Sequence, residues 1–297
     1  MSIKNSSKLG TGVLSVSGAI SQGVSWGVAT GGTSSTITVD GESYTLLEFT
    51  SSSTLTVTKP GFFEVLPISG GGGGDTGGGG GGGIARGEAL ASTVSKGIVA
   101  YFTTDVPVVV GAGGPSRSGG GGTAPQRSGG MSHVGYVSAE GGGLASTYGG
   151  CGGGENSAPN NYDNMGRSNG YHGYNGGNAV YNTGTGDYHS GGGGGGGAVG
   201  GNALENAGNN SRGGHGGAGA DISAFLGQSA GTTYVSGGGG GQAYDTGHNG
   251  GNGGTGGGGR GWGKSGGAVS GSANTGGGGG GGRASGGSGR VYVRFKN

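Results

Sequence analysis

Three uninterrupted runs of seven glycines constrain this chain more than any other feature. They occupy residues 77–83, 191–197 and 276–282, and glycine accounts for 94 of the 297 residues. Glycine loses more conformational freedom on ordering than any other residue and brings no side chain to bury. The runs therefore cannot form an ordinary hydrophobic core, and a folded state must pack backbone against backbone.

Composition narrows the choice of backbone structure. Hydrophobic residues make up 29% of the chain, which is below the share typical of a globular domain. With only six prolines and no strict Gly-X-Y period, a collagen triple helix is excluded. Polyglycine II remains: an extended helix with three residues per turn and a rise of about 3.1 Å per residue, whose outward N–H and C=O groups pair with neighbouring helices. We predict a bundle of such helices.

Charge, cysteine content and the first residues limit the function classes. The net charge of +1 argues against a nucleic-acid or anionic-lipid partner. The single cysteine, Cys151, excludes an intramolecular disulfide, and we expect it to be a small packed residue. Met1–Asn5 lack the apolar region of a secretory signal, and no stretch has the length of a membrane span. The histidines show no metal-ligand spacing, so we expect no metal or other cofactor.

Apolar alternation predicts strands mainly near the two ends of the chain. Residues 42–50, 54–58 and 62–68 alternate as strands do, and Pro67 indicates an edge or the end of pairing. Residues 289–295 place Val, Val and Phe on one face, but a strand this short is not stable alone. We therefore expect it to return and pair with the N-terminal strands.

The resulting prediction is an all-β fold with little or no α-helix. It has a β-rich attachment region at 1–68, a glycine-rich polyglycine II body at 69–288, and the returning C-terminal strand at 289–297. Residues 89–102 fit a short helix or strands, because their periodicity does not decide between them. Residues 103–114 predict a strand that enters a glycine turn.

Several short motifs imitate enzyme signatures. Residues 258–265 fit the G-x-x-x-x-G-K-S spacing of a phosphate-binding loop, but they lack the apolar strand before and the helix after that the mechanism needs. The D-T-G triplets at Asp75 and Asp245 lie in glycine, without the apolar strands of aspartic proteases. Residues 216–221 begin like a calcium-binding nonapeptide, with no tandem copy. We expect no enzymatic activity.

A polar, aromatic insert at 160–190 interrupts the body, and 242–249 is a shorter relative. Tyrosine gives contact area at low entropy cost, while Asn, Ser and Gly adapt their hydrogen bonds, and loops on rigid scaffolds often carry function. The candidate contact residues are Tyr162, Tyr171, His172, Tyr174, Tyr181, Tyr188, His189 and Tyr244. The alternative is that these side chains only cover the bundle.

Four stretches resemble glycine-rich tail-appendage proteins of bacteriophages. Residues 49–61 are similar to an F-T-x-S-x-T-L-T-V…P-G β entry, and the others are 62–74 (FFEVLPISGGGGG), 108–114 (VVVGAGG) and 286–295 (GGSGRVYVRF). The glycine-rich tail-fibre tip adhesins of T-even-like phages are a related case. That resemblance implies a sandwich of polyglycine helices whose loops contact the bacterial surface, although this chain carries its own β entry.

The resemblance implies a virion protein of the tail or tail-fibre tip. Its partners would be other tail or fibre proteins and a bacterial receptor, either a glycan or an outer-surface protein, and it would form a homo-oligomer such as a trimer. The alternatives are a structural or decoration protein without a receptor, a non-phage glycine-rich structural protein, and an ice-binding protein, which would need a regular flat face. RNA binding through Arg-Gly steps is disfavoured by their small number and the near-zero net charge.

Overall fold

The computed structural model describes residues 25–87, 96–116, 128–157, 166–181, 187–205, 211–244 and 247–297. Within these ranges the chain forms fourteen β-strands and no α-helix. The predicted all-β class is confirmed. The strands build two five-stranded sheets and two small two-stranded sheets. Along the chain, the glycine runs lie between these strands.

The first sheet is antiparallel, with the strand order β2-β3-β14-β5-β6. Its strands are β2 (Thr33–Val39), β3 (Glu42–Phe49), β5 (Gly61–Ile68), β6 (Ile98–Phe102) and β14 (Arg290–Lys296). The C-terminal strand is central, because Val291 pairs with Phe49 of β3 on one side and with Pro67 of β5 on the other. The predicted return of this strand is confirmed, and it brings the two ends of the glycine-rich body together.

The second sheet has the order β1-β4-β7-β8-β9 and covers the inner face of the first. Its strands are β1 (Val28–Thr30), β4 (Ser53–Lys59), β7 (Val106–Val109), β8 (Ser132–Val134) and β9 (Val137–Ala139). The two sheets share one hydrophobic core, so they form a β-sandwich. Its fully buried members include Phe49, Phe63, Leu47, Leu55, Val65 and Val108.

The sandwich draws on more of the chain than the sequence indicates. Strands β6 to β9 come from 98–139, a stretch assigned above to the glycine-rich body. Residues 98–102 are a strand, which decides the open choice there, while 88–95 lie outside the described residues. β2 is not anticipated by the sequence reading. It joins β3 through Asp40 and Gly41, whose φ values of 51° and 82° are those of a tight two-residue hairpin turn.

A segment from the body covers the outer face of the first sheet. It contains β12 (Ala220–Asp221) and β13 (Tyr234–Val235), and its Ile222 and Phe225 pack on Leu66 of β5. The carboxylate of Asp221 organises this segment by accepting hydrogen bonds from Ser223 N and Gly231 N at 2.9 and 2.7 Å. Burial by itself raises the pKa of the Asp221 carboxyl. The hydrogen bonds from the two amides and from the Ser223 hydroxyl have the larger combined effect, so the pKa is lowered.

The glycine body is a bundle of polyglycine II helices, as its hydrogen bonds show. In the run 77–83, every third amide donates to the same neighbouring segment, which is the signature of three residues per turn. The donor–acceptor pairs are Gly78–Gly191 with Gly81–Gly194, Gly79–Gly279 with Gly82–Gly276, and Gly80–Gly143 with Gly83–Glu140. Three further segments donate hydrogen bonds to carbonyls of the same run. The donors are the amides of Ser69 and Gly72 in the first segment, Gly154 in the second and Gly239 in the third. The run is thus surrounded on all sides by backbone.

This packing requires glycine for a steric reason. A Cβ atom built at any position of the run 77–83 would lie no more than 2.5 Å from a neighbour's backbone oxygen. The Cα–H group of each glycine instead faces that carbonyl, a weak but repeated contact. At the bundle surface, side chains replace glycine where an amide needs a partner. Asn202 Oδ1 accepts from Asn178 N, and His215 Nδ1 accepts from Asn252 N, each at 2.8 Å.

Candidate functional site

The bundle has one end against the sandwich and one end remote from it. Ser69 directly follows β5, and its amide donates to Gly83, so the end of the run 77–83 faces the sandwich. At the start of the same run, Thr76 O accepts from Gln242 N, and Gln242 O accepts from Ser190 N. Seven residues at about 3.1 Å each separate the two ends by about 20 Å. We call the remote end, with residues 75–77, 187–190 and 242–244, the distal end.

Three tyrosines meet at the distal end. β10 (Val180–Tyr181) pairs with β11 (Tyr188–His189), which places Tyr181 opposite Tyr188. The two rings stack with centroids 5.1 Å apart and planes 7° from parallel. Tyr244 joins from the other insert through a bond from its amide to Tyr188 O, and its ring stands at 89° to that of Tyr188, 4.5 Å away. Tyr181, Tyr188 and Tyr244 are called the tyrosine cluster below.

Buried polar groups fix the backbone that carries the cluster. Glu155 is 4% exposed, and its carboxylate accepts the amide of Ala179, just before β10, at 2.8 Å. On the other side, Ala243 N donates to Trp262 O at 2.9 Å. The sequence reading missed Glu155 and Trp262. A lone acid at the end of a glycine block, where a charge must find a partner, is the signal that could have indicated Glu155.

The cluster is partly open to solvent. Tyr244 is 58% exposed, whereas Tyr181 and Tyr188 are half-buried against each other. His189, a neighbour in the chain, is only 1% exposed, and its ring meets His248 edge-on at 5.1 Å. His189 therefore lies beneath the surface on which the sequence reading places it. Its role here is in the packing under the cluster.

Other candidates lie at the opposite end of the bundle. His172 O accepts from Ile84 N, next to the end of the run 77–83 that faces the sandwich. Tyr171 is 78% exposed there, and Asn169 Oδ1 accepts both the Tyr171 and His172 amides. The pKa of His172 is lowered, mainly because the ring is partly buried. The charge of Glu140 opposes this decrease, and the charge of Arg86 adds to it. The structure thus separates Tyr171 and His172 from the tyrosine cluster.

Tyr174 belongs to the bundle itself. Its amide donates to Gly195 O at 3.1 Å, and its carbonyl accepts from Gly152 N at 3.0 Å. Its half-buried side chain is therefore attached to a scaffold helix and not to a loop. Tyr162 lies outside the described residues.

Enzyme-like motifs gain no support from their surroundings. Lys264 sits in a tight turn closed by Gly263 and Gly266, and no helix follows it in the described residues. Across all the residues that the structure describes, there is no cluster of three or more metal-ligating side chains. These residues also include no helix with the length and hydrophobicity of a membrane span.

The comparisons with known proteins concern the family. No curated protein and no solved structure matches the chain significantly. A family model described as a glycine-rich domain matches residues 48–296, from the end of β3 to the end of β14. This span includes the bundle, the tyrosine cluster and most of the sandwich, and the chain therefore belongs to this glycine-rich domain family.

Proposed function

We propose that the chain is a bacteriophage tail-appendage protein that recognises the host surface through the distal end of its bundle. The observation that carries the proposal is the meeting of Tyr181, Tyr188 and Tyr244 at the end farthest from the sandwich. Two separate inserts supply these residues. A partly exposed aromatic cluster at the tip of a rigid support is a common arrangement for a binding surface.

The rigidity of the support favours recognition energetically. A partner that docks on the cluster would order few additional residues, because Glu155 and the amides around Ser190 already hold the two inserts. The entropy cost of binding is lower when the binding surface is already ordered. A few aromatic anchors usually supply most of the binding energy in such surfaces.

The sandwich fits the role of attachment to other tail or fibre proteins. β5 begins and β14 ends at the pole that faces away from the bundle. That pole contains a cleft of about 470 Å³, which is lined by Trp26, Lys59, Phe295 and other residues. In this arrangement the virion partner binds at the sandwich pole and the host at the distal end of the bundle.

A structural role without a receptor is the second candidate. One observation favours it: the ring of Tyr188 is already in contact with Tyr181 and Tyr244. A cluster that satisfies its own aromatic contacts can serve to cover the end of the bundle. The two candidates differ in what happens when the exposed ring is removed.

The test uses particles that carry single substitutions. Replacing the whole insert would also remove Gly176 and Gly177, whose amides bond within the bundle, so point variants are preferable. We expect Tyr244→Ala particles to assemble normally and adsorb to host cells at least tenfold more slowly. Tyr136→Ala removes a tyrosine of the sandwich that is 70% exposed; it is the matched control and should adsorb normally. Normal adsorption of the Tyr244→Ala particles would leave only the structural role.

A further inference from the structure

We infer, on the basis of the proposed function, that the tyrosine cluster binds the ring of a neutral saccharide. A protein receptor is the competing class, and the experiment below separates the two.

The shape of the cluster favours a flat ligand. Tyr181 and Tyr188 cover one another, and Tyr244 stands perpendicular to Tyr188 with 58% of its surface exposed. Tyr244 therefore presents an aromatic ring at the surface and not at the floor of a deep pocket. The negative face of an aromatic ring attracts weakly positive C–H groups, which a pyranose ring presents together on one side. A protruding protein side chain would need a pocket to fill.

The charge of the surroundings favours a neutral ligand. The described segments that carry the cluster are 179–181, 187–190, 242–244 and 247–249, and they contain no lysine or arginine. The cations next to them are Arg283, whose amide donates to Asp75 O, and Lys264, whose amide donates to His248 O. In the sequence Asp187 directly precedes Tyr188 and Asp245 directly follows Tyr244, while the Glu155 carboxylate is buried and holds the amide of Ala179. The carboxylates that directly flank two of the three tyrosines disfavour a phosphate, sulfate or carboxylate on a ligand held against the rings. Acidic sugars should therefore bind poorly.

Hydrogen-bonding groups suited to sugar hydroxyls lie close to the tyrosines in the chain. Asp187 can accept from hydroxyl groups, and the exposed Asn249 retains its amide donors because its Oδ1 accepts the Ser265 hydroxyl at 2.6 Å. Gln242 is half-buried beside Tyr244 in the chain. An aromatic ring with acceptors and amide donors in the neighbouring segments provides both parts of saccharide recognition.

The experiment is saturation-transfer NMR on the full chain. The probes are methyl glycosides of glucose, galactose, mannose, rhamnose, N-acetylglucosamine and N-acetylgalactosamine, with methyl glucuronide as the acidic comparison. We expect transfer to the ring C–H protons of at least one neutral glycoside and at least tenfold weaker binding of the glucuronide. Tyr244→Ala should remove the signal, Tyr244→Phe should keep it, and the Tyr136→Ala control should leave it unchanged.

Three results would overturn the inference: no transfer to any neutral glycoside, transfer that persists in Tyr244→Ala, or equal binding of the glucuronide. Thermal unfolding of each variant shows whether the fold is kept, and the Tyr244→Phe variant preserves the ring if the alanine variant does not fold. The proposed function fails separately. Particles whose adsorption depends on Tyr244 while no glycoside binds would keep host recognition and assign it to a protein receptor.

Discussion

Glu64 and Arg294, far apart in the sequence, form an ion pair on the outer face of the first sheet, where Arg294 Nε donates to Glu64 Oε2 at 2.7 Å. The same guanidinium donates to Phe225 O and lies over the rings of Phe225 and Tyr44, at 4.3 and 5.0 Å from their centroids. Arg294 thus ties the central strand β14 both to β5 and to the segment that covers the sheet.

Removing this arginine should strongly destabilise the fold. Arg294→Ala leaves the Glu64 carboxylate without its partner in a partly buried site, and we expect a loss of about 3 kcal/mol in the free energy of unfolding. Urea denaturation measures it. Lys296→Ala is the matched control, because Lys296 lies on β14 like Arg294 but forms a more exposed ion pair, with Glu42 of β3. Breaking that pair should cost less than about 1 kcal/mol. Equal losses in both variants would show that the Glu64–Arg294 pair has no special weight.

The C-terminal strand should be indispensable because it is central and not an edge. Deleting 290–297 separates β3 from β5 and removes Val291, Val293 and Phe295 from the core, which exposes the side chains packed against them. We expect no soluble folded protein, measured by circular dichroism and gel filtration. Deleting only Asn297, which is exposed and bonds to Thr45 and Ser43, is the control and should fold. A folded protein without 290–297 would contradict the observed strand order.

Cys151 should be unreactive while the chain is folded. The thiol is fully buried, and burial raises its pKa from the ordinary 9.0 to about 11, against smaller opposing contributions from the Ser236 hydroxyl and other groups. We expect no labelling by iodoacetamide at pH 8 in buffer and complete labelling in urea. Because the raised pKa favours the protonated thiol in the folded state, its contribution to stability is full below pH 9 and is lost as the pH rises toward 11. Rapid labelling of the folded chain would show that the thiol is accessible.

The sequence was a good guide where one rule dominated. Seven-residue glycine runs leave polyglycine II as the ordered option, and alternation at 289–295 identified β14. It was a poor guide to β2, because Thr33–Val39 is a largely exposed strand rich in serine and threonine whose pairing depends on the Asp40–Gly41 turn. β8 and β9 have three residues each, which is too short for alternation to indicate strands, and the Gly135–Tyr136 turn that joins them is the local signal that was overlooked.

The candidate site was predictable only in part. Composition identified Tyr181, Tyr188 and Tyr244, but their meeting depends on hydrogen bonds between segments far apart in the chain. The position of Tyr171 at the other end of the bundle follows from the direction of each helix, which a glycine run does not encode. His189 is buried because it lies two residues before the glycine run 191–197, where the chain enters the bundle.

The most direct measurement is the stability of Gly194→Ala compared with Gly267→Ala. At Gly194 a Cβ would lie 2.0 Å from the backbone oxygen of Tyr174, whereas at Gly267 it would meet nothing within 4 Å. If bare backbone contact holds the bundle together, Gly194→Ala should lose about 3 kcal/mol or more, or fail to fold. Gly267→Ala should stay within about 1 kcal/mol of the unaltered chain. A Gly194→Ala protein as stable as Gly267→Ala would contradict the polyglycine II bundle.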